Sequence, residues 1–230
     1  MQAVIETYED RVKELELYFS ALEELSELEN AHPNQLFLQS EFLKMLKSSA
    51  LIMIYNLMES TIVNVFEEIY DSFDKQGITY NMACKEIQDV WFSFMFKQVY
   101  QQESHYNSYK KKAKEITISI LSNEPLKLNR NAMSGYGNFD AEKIRKICHE
   151  HGIMLKNIDK IKGQYVLKEV KEQRNLLSHG GKSFTECGRD YTINDLKKKK
   201  DGVIEFLKEI LVEIQEYKDN EVYLYRHKNE

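Results

Sequence analysis

The stretch Arg174-Asn175-Leu176-Leu177-Ser178-His179-Gly180-Gly181 decides how the rest of the chain is read. It sets a permanent cation, a carboxamide and a titratable imidazole within six residues, where a helix is expected to end. Residues 160–177 place Ile161, Tyr165, Leu167, Val170, Leu176 and Leu177 among the polar Lys168, Glu169, Lys171 and Glu172, the mixture of an amphipathic helix. Gly180-Gly181 then stops it, because glycine readily takes the left-handed conformation that follows a helix C-terminus. His179 is therefore expected in the last turn or at the cap. Arg174 and His179 are five positions apart and diverge by roughly 140° on an ideal helix. They converge on one substrate only if the last turn distorts or if two copies face each other across a symmetry axis. The carbonyl end of a helix also favours a protonated imidazole, which suits a proton donor.

Outward from this stretch, length and composition narrow the class. The 230 residues suffice for a sizeable core. Proline occurs only at Pro33 and Pro125, 30% of residues are charged, and no Gly/Ser-rich linker interrupts the chain, as in a mostly helical protein. No apolar run approaches the ~20 residues of a membrane span. The acidic segment 1–10 does not read as a signal peptide. Cys84, Cys148 and Cys187 are odd in number and far apart, which points to a reducing cytoplasm rather than a disulfide framework. The net charge of −5 conceals an asymmetry: residues 1–75 hold 5 basic and 15 acidic side chains, net −10, whereas residues 105–200 hold 21 and 11, net +10. The motif lies in the basic part, as binding a polyanion such as RNA requires, although any single lysine there can equally belong to a solvated helix face.

The rest of the chain reads as further helices. Val4, Tyr8, Val12, Leu15, Phe19, Leu22 and Leu25 recur at helical spacing, with Glu14, Glu23, Glu24 and Glu27 opposite. This acidic N-terminal helix is a core element whose outer face shields a basic site or meets a partner. His32-Pro33-Asn34 breaks the chain. Leu36 to Phe73 reads as a long helix with an apolar centre, Leu46 to Phe66, and Gly77 ends it. Glu59 inside that centre needs a partner or an exposed position. Met82 to Tyr100 follows with Trp91, Phe92, Phe94 and Phe96, which suit a core or a dimer interface more than base stacking. Lys110, Lys111, Lys112 and Lys114 lie beside Tyr106 and Tyr109, a candidate phosphate-contacting segment or a solvated loop. Residues 116–121 leave strand and helix open, and 125–138 reads as irregular. Asp140 is expected to cap a helix from Ala141 to Glu150. Cys148, His149 and His151 match no common zinc spacing and read as surface residues. Phe184 to Tyr191 reads as a loop. Thr192-Ile193-Asn194-Asp195 resembles a capping box opening a long helix to about Tyr223, with Lys197, Lys198, Lys199 and Lys200 near its start as a second candidate for phosphate contact.

The Arg-polar-x3-His pattern at a helix end resembles the HEPN superfamily, helical domains of prokaryotic toxin–antitoxin, abortive-infection and CRISPR-linked ribonucleases. Two further stretches carry the resemblance. Residues 49–59, with Tyr55-Asn56-Leu57-Met58-Glu59, look like the first core helix of a stand-alone HEPN family with a Tyr-Asn-x-x-Glu pattern, and Gly137-Asn138-Phe139-Asp140 looks like its middle segment. The likeness spans roughly residues 36–211. It implies an all-α, HEPN-like bundle with long core helices, one domain over 1–230 in which 36–215 is the core and the acidic helix of 1–32 an extension. It implies a homodimer with opposed motifs, and it brings Glu59 and Asn56 to the border of the site. HEPN toxins paired with a nucleotidyltransferase antitoxin carry a modifiable tyrosine two residues after the His. Gly181 stands there, so control by that route is not expected.

The residues themselves suit metal-free RNA cleavage, with no cofactor. There is no carboxylate cluster suited to magnesium, no phosphate loop and no Cys–His pair at sensible spacing. The substrate supplies its own nucleophile, the ribose 2′-hydroxyl. His179 is suited to proton transfer near neutral pH. Arg174 is suited to the phosphate, because its planar donors stay charged and grip two oxygens. Asn175 would orient His179 or touch the scissile phosphate, and Ser178 would help hold the imidazole. The expected products are 2′,3′-cyclic phosphate and 5′-hydroxyl ends. A non-catalytic module binding RNA, a nucleotide or a protein is the alternative, and an antitoxin or regulatory protein is a further expected partner.

Overall fold

The structure, a computed structural model, describes residues 1–31, 37–100, 106–156 and 164–225. The break at His32-Pro33-Asn34, the start of the second helix at Leu36 and the motif-helix residues 160–163 lie outside these residues. The described elements are all helical: α1 Gln2–Ala31, α2 Phe37–Gln76, α3 Lys85–Tyr100, α4 Tyr106–Leu121, α5 Ala141–Glu150, α6 Gln164–Ser178, α7 Phe184–Arg189 and α8 Ile193–Asp219, with a 3-10 turn at Arg130–Ala132. Among the described residues extended pairing is limited to the isolated bridges Thr79–Pro125 and Ala83–Leu224.

The chain groups into two compact units. One comprises Met1–Ile62, Asn138–Ala141 and Asn157–Ile210; the other comprises Val63–Gly137, Glu142–Lys156 and Leu211–Glu230. In the first, the three- and four-residue spacing of α1 buries Val4, Tyr8, Leu15, Phe19 and Leu22, while Leu25 stays 38% exposed. Helix α2 adds Ala50, Leu51, Ile54 and Met58, and α6 adds Leu167, Val170 and Leu177. Each large apolar side chain so buried contributes about 2 kcal/mol. The acidic face of α1 meets the lysines opening α8: Glu16 pairs with Lys200 and Glu23 with Lys197. Part of the charge asymmetry along the chain is thus cancelled inside this unit.

In the second unit His151 organises a buried aromatic group. Its Nδ1–H donates to the Ile147 carbonyl at 2.7 Å, which leaves Nε2 to accept the Tyr70 hydroxyl at 2.7 Å. Phe66 packs against the imidazole at 4.8 Å. Both nitrogens are occupied, and Cys148 is fully buried, so His151 and Cys148 are core rather than the surface that the sequence suggested, while His149 is exposed as expected. No group of metal-ligating side chains occurs among the described residues. Trp91 and Phe94 are buried, while Phe92 is 44% exposed.

Several boundaries differ from the sequence expectation. Residues 116–121 continue α4 as helix. Residues 184–189 form α7 rather than a loop, because Ser183 and Glu186 make a reciprocal capping box: Ser183 Oγ accepts the Glu186 N–H and Glu186 accepts the Ser183 N–H. The same device opens α8, with Thr192 and Asp195 exchanging backbone bonds at 3.0 and 3.1 Å. Helix α8 ends at Asp219, short of Tyr223. Within α2, Ser40–Gln76 is long and apolar enough by length and composition to cross a membrane, although no uninterrupted apolar run of that length occurs in it; 56% of its apolar window is buried in the protein, as in a core helix.

Candidate functional site

The motif closes α6. Gly181 N–H bonds the Leu176 carbonyl at 2.8 Å and Gly180 N–H bonds that of Leu177 at 3.4 Å, the paired bonds of a Schellman end. Gly180 adopts φ +69°, which explains the glycine there. His179 follows the last helical residue, and its N–H still bonds the Asn175 carbonyl at 3.0 Å. Its imidazole is exposed and makes no hydrogen bond or ion pair among the described residues. Ser178 is likewise exposed.

Arg174 is held on several sides. Nη2 donates to Glu59 Oε2 at 3.1 Å, and Nη1 donates to Asn175 Oδ1 at 3.0 Å. The guanidinium carbon lies 4.0 Å from the centre of the Tyr55 ring. The Arg174 and Glu59 side chains keep 22% and 27% of their exposure. Glu59 and Tyr55 are i, i+4 on α2, and the Tyr55 hydroxyl reaches Glu59 Oε1 at 3.4 Å. Burial, then the charge of Glu59, pushes the Tyr55 phenol up to about 12, so it stays a neutral donor.

Three consecutive residues complete the arrangement. Asn138 Oδ1 accepts from Asn175 Nδ2 at 2.8 Å, Phe139 N–H donates to the Tyr55 hydroxyl at 3.1 Å, and Asp140 pairs with Lys171, one turn before Asn175 on α6. Asn138 takes φ +55°, a left-handed conformation that asparagine tolerates better than most residues. All three quoted sequence stretches therefore meet around Arg174. Tyr55, Asn138, Asp140 and Lys171 were not singled out as site residues, although three of them lie inside the quoted stretches. The signal was the stretch itself, since nothing local tells which of its side chains points at the arginine.

Other predicted residues lie elsewhere. Asn56, next to Tyr55 but exposed, lines a depression of about 450 Å³ with Thr7, Arg11 and Glu14 of α1. Lys197 pairs with Glu23, and Lys198 is exposed. Lys110 and Lys111 are exposed on α4, and Lys112 pairs with Glu115 at 3.2 Å.

The arrangement combines an oriented guanidinium with donors to spare and an open imidazole at a helix carbonyl end. Fold and site define an all-α domain of HEPN type. The model of the HEPN_MAE_28990-like HEPN family matches residues 1–223, and the chain belongs to that family. The matched region includes α1. No curated protein and no solved structure matches the chain.

Proposed function

We propose that the chain is a metal-independent endoribonuclease that cleaves RNA through the 2′-hydroxyl, leaving 2′,3′-cyclic phosphate and 5′-hydroxyl ends. The observation that carries this reading is the contrast between Arg174, fixed by Glu59, Asn175 and Tyr55, and His179, exposed on a glycine-terminated helix end. Arg174 neutralises charge developing on the phosphate. His179 moves the proton. Asn175 orients Arg174 through its amide oxygen, and Ser178 is placed to touch a phosphate oxygen or the imidazole.

In-line attack needs both a base and an acid, and one histidine does not serve as both in a single step. A homodimer with opposed motifs supplies the second. Tyr165 and Leu176 of α6, 79% and 41% exposed, are two apolar side chains on one face of that helix, with Glu169 and Glu172 between them, and are available to a second copy. Lys110, Lys111 and Lys198 are exposed cations available to RNA phosphates. The setting that fits is a cytoplasmic toxin–antitoxin or antiphage system, with an antitoxin or regulatory protein as partner.

Incubation of wild-type, Arg174→Ala and His179→Ala protein with RNA in EDTA, followed by analysis of product ends, tests this. Cleavage by wild type alone with cyclic phosphate ends supports it, and cleavage that persists in both variants refutes it. A second reading, a non-catalytic RNA-, nucleotide- or protein-binding module, is favoured by one observation: the charge of Arg174 is already met by Glu59. RNA bound but uncut by wild type would select it.

A further inference from the structure

We infer that Tyr55 is the positioning residue of the site, setting the plane of the Arg174 guanidinium and tying Glu59 and the 138–140 segment to it. The inference rests on the functional reading above for its consequence in catalysis, though not for the contact itself.

An arginine at this place needs its guanidinium plane fixed as well as its position. Its side chain has four rotatable bonds, and a single monodentate carboxylate fixes a distance without fixing a plane. Glu59 reaches one terminal nitrogen and Asn175 the other, both with one bond. Rotation about the line joining those contacts is restricted by the covalent tether at Nε and, further, by a surface against the guanidinium face. The Tyr55 ring, 4.0 Å away, is that surface. A cation on an aromatic face gains attraction as well as contact. Packing and a hydrogen bond both hold the ring, since Tyr55 is fully buried and its hydroxyl is bonded by the Phe139 N–H.

The hydroxyl does different work. It accepts the Phe139 N–H at 3.1 Å and points its own proton toward Glu59 Oε1 at 3.4 Å. Glu59 Oε2 faces Arg174, so the phenol helps decide which carboxylate oxygen the arginine receives. The same hydroxyl anchors the segment whose Asn138 holds Asn175. One side chain thus registers α2, the 138–140 segment and α6 against each other. A phenylalanine would keep the stacking surface and lose this coupling; a leucine would lose both.

The test compares wild-type, Tyr55→Phe and Tyr55→Leu protein, each checked for folding by circular dichroism, with two readouts. The first is the side-chain Nε–Hε resonance of Arg174 in RNA-free protein, assigned with Arg174→Lys. An upfield ring-current shift is expected in wild type and Tyr55→Phe and lost in Tyr55→Leu. The second is cleavage of a model RNA: kcat is expected to fall at least tenfold in Tyr55→Leu and by a smaller factor in Tyr55→Phe, with the pH profile of cleavage unmoved. Retention of the upfield shift in folded Tyr55→Leu, or an unchanged kcat in that variant, overturns the inference. If wild type cleaves no RNA, the ribonuclease reading fails and the resonance still decides whether Tyr55 holds the arginine. If Tyr55→Leu does not fold, Tyr55→Phe and Tyr55→Trp decide in its place: Phe must keep the shift and lower kcat, and an unchanged kcat in both overturns the inference.

Discussion

Nη2 of Arg174 donates to Oε2 of Glu59 at 3.1 Å, a bond between residues 115 positions apart in the chain. The carboxylate orients the arginine and also neutralises it, and these effects have opposite consequences for RNA. Glu59→Gln keeps an acceptor and removes the charge. RNA binding is expected to tighten and its salt dependence to steepen by about one phosphate contact, because Arg174 is then an uncompensated cation. Cleavage is expected to slow as orientation loosens, and stability to fall by about 1–2 kcal/mol for a pair this incompletely buried. Anisotropy titrations at several salt concentrations check the first point; an unchanged affinity and slope would show that Arg174 does not meet the phosphate.

His179 and Arg174 should separate chemistry from stability. The exposed imidazole has no partner among the described residues, so His179→Ala is expected to abolish cleavage while shifting unfolding free energy by no more than about 0.5 kcal/mol. Arg174→Ala should also abolish cleavage, but it strands Glu59 and opens the Tyr55 face, so thermal unfolding should drop measurably. Equal melting temperatures for the two variants would contradict the bracing described above.

Two glycines near the motif should respond differently to alanine. At Gly180 a Cβ meets nothing within 4 Å, so only the positive φ is strained, and Gly180→Ala should cost about 1 kcal/mol. At Gly188, on α7, a Cβ would overlap the backbone carbonyl of Lys44 on α2. Gly188→Ala should therefore cost at least about 3 kcal/mol, since neither backbone can yield cheaply. Urea titrations of the two variants give the ranking directly.

Acid should act through His151. Burial pushes its pKa down to about 4, against 6.5 for a free imidazole. The unfolded chain therefore takes up a proton at a higher pH than the folded one. Stability from this group is complete above about pH 6.5 and is lost as pH falls toward 4, by about 3 kcal/mol over that window. His151→Gln should lower stability at pH 7 and flatten its decline between pH 6.5 and 4, as measured by denaturant unfolding. A decline as steep as in wild type would place the acid sensitivity elsewhere.

Much of the site was legible locally. The cap at Gly180-Gly181, the Thr192–Asp195 box and the burial stripe of α1 are set by residues within a few positions of one another, where helix geometry alone decides what can touch. The capping box at Ser183 and Glu186 was legible by the same rule, yet the six-residue helix it opens is too short to show periodicity. His151 shows the converse. Its neighbours in sequence, Cys148 and His149, suggested a polar surface segment, and only packing against Phe66 and Tyr70 made it core.

The sequence by itself determined that the chain is helical, where the motif helix stops, and that a fixed cation and a titratable ring lie near that stop, because these follow from side-chain chemistry and a 3.6-residue period. Tertiary structure alone decided which acceptors Arg174 finds. Tyr55 and Glu59 reach it from more than 100 positions away, Asn138 braces the neighbouring Asn175, and Asn56, adjacent in sequence to Tyr55, faces α1 instead. A helix turns about 100° per residue, so a one-position step is enough to turn a side chain away from the site, and only the packing of α2 decides which neighbours each position meets.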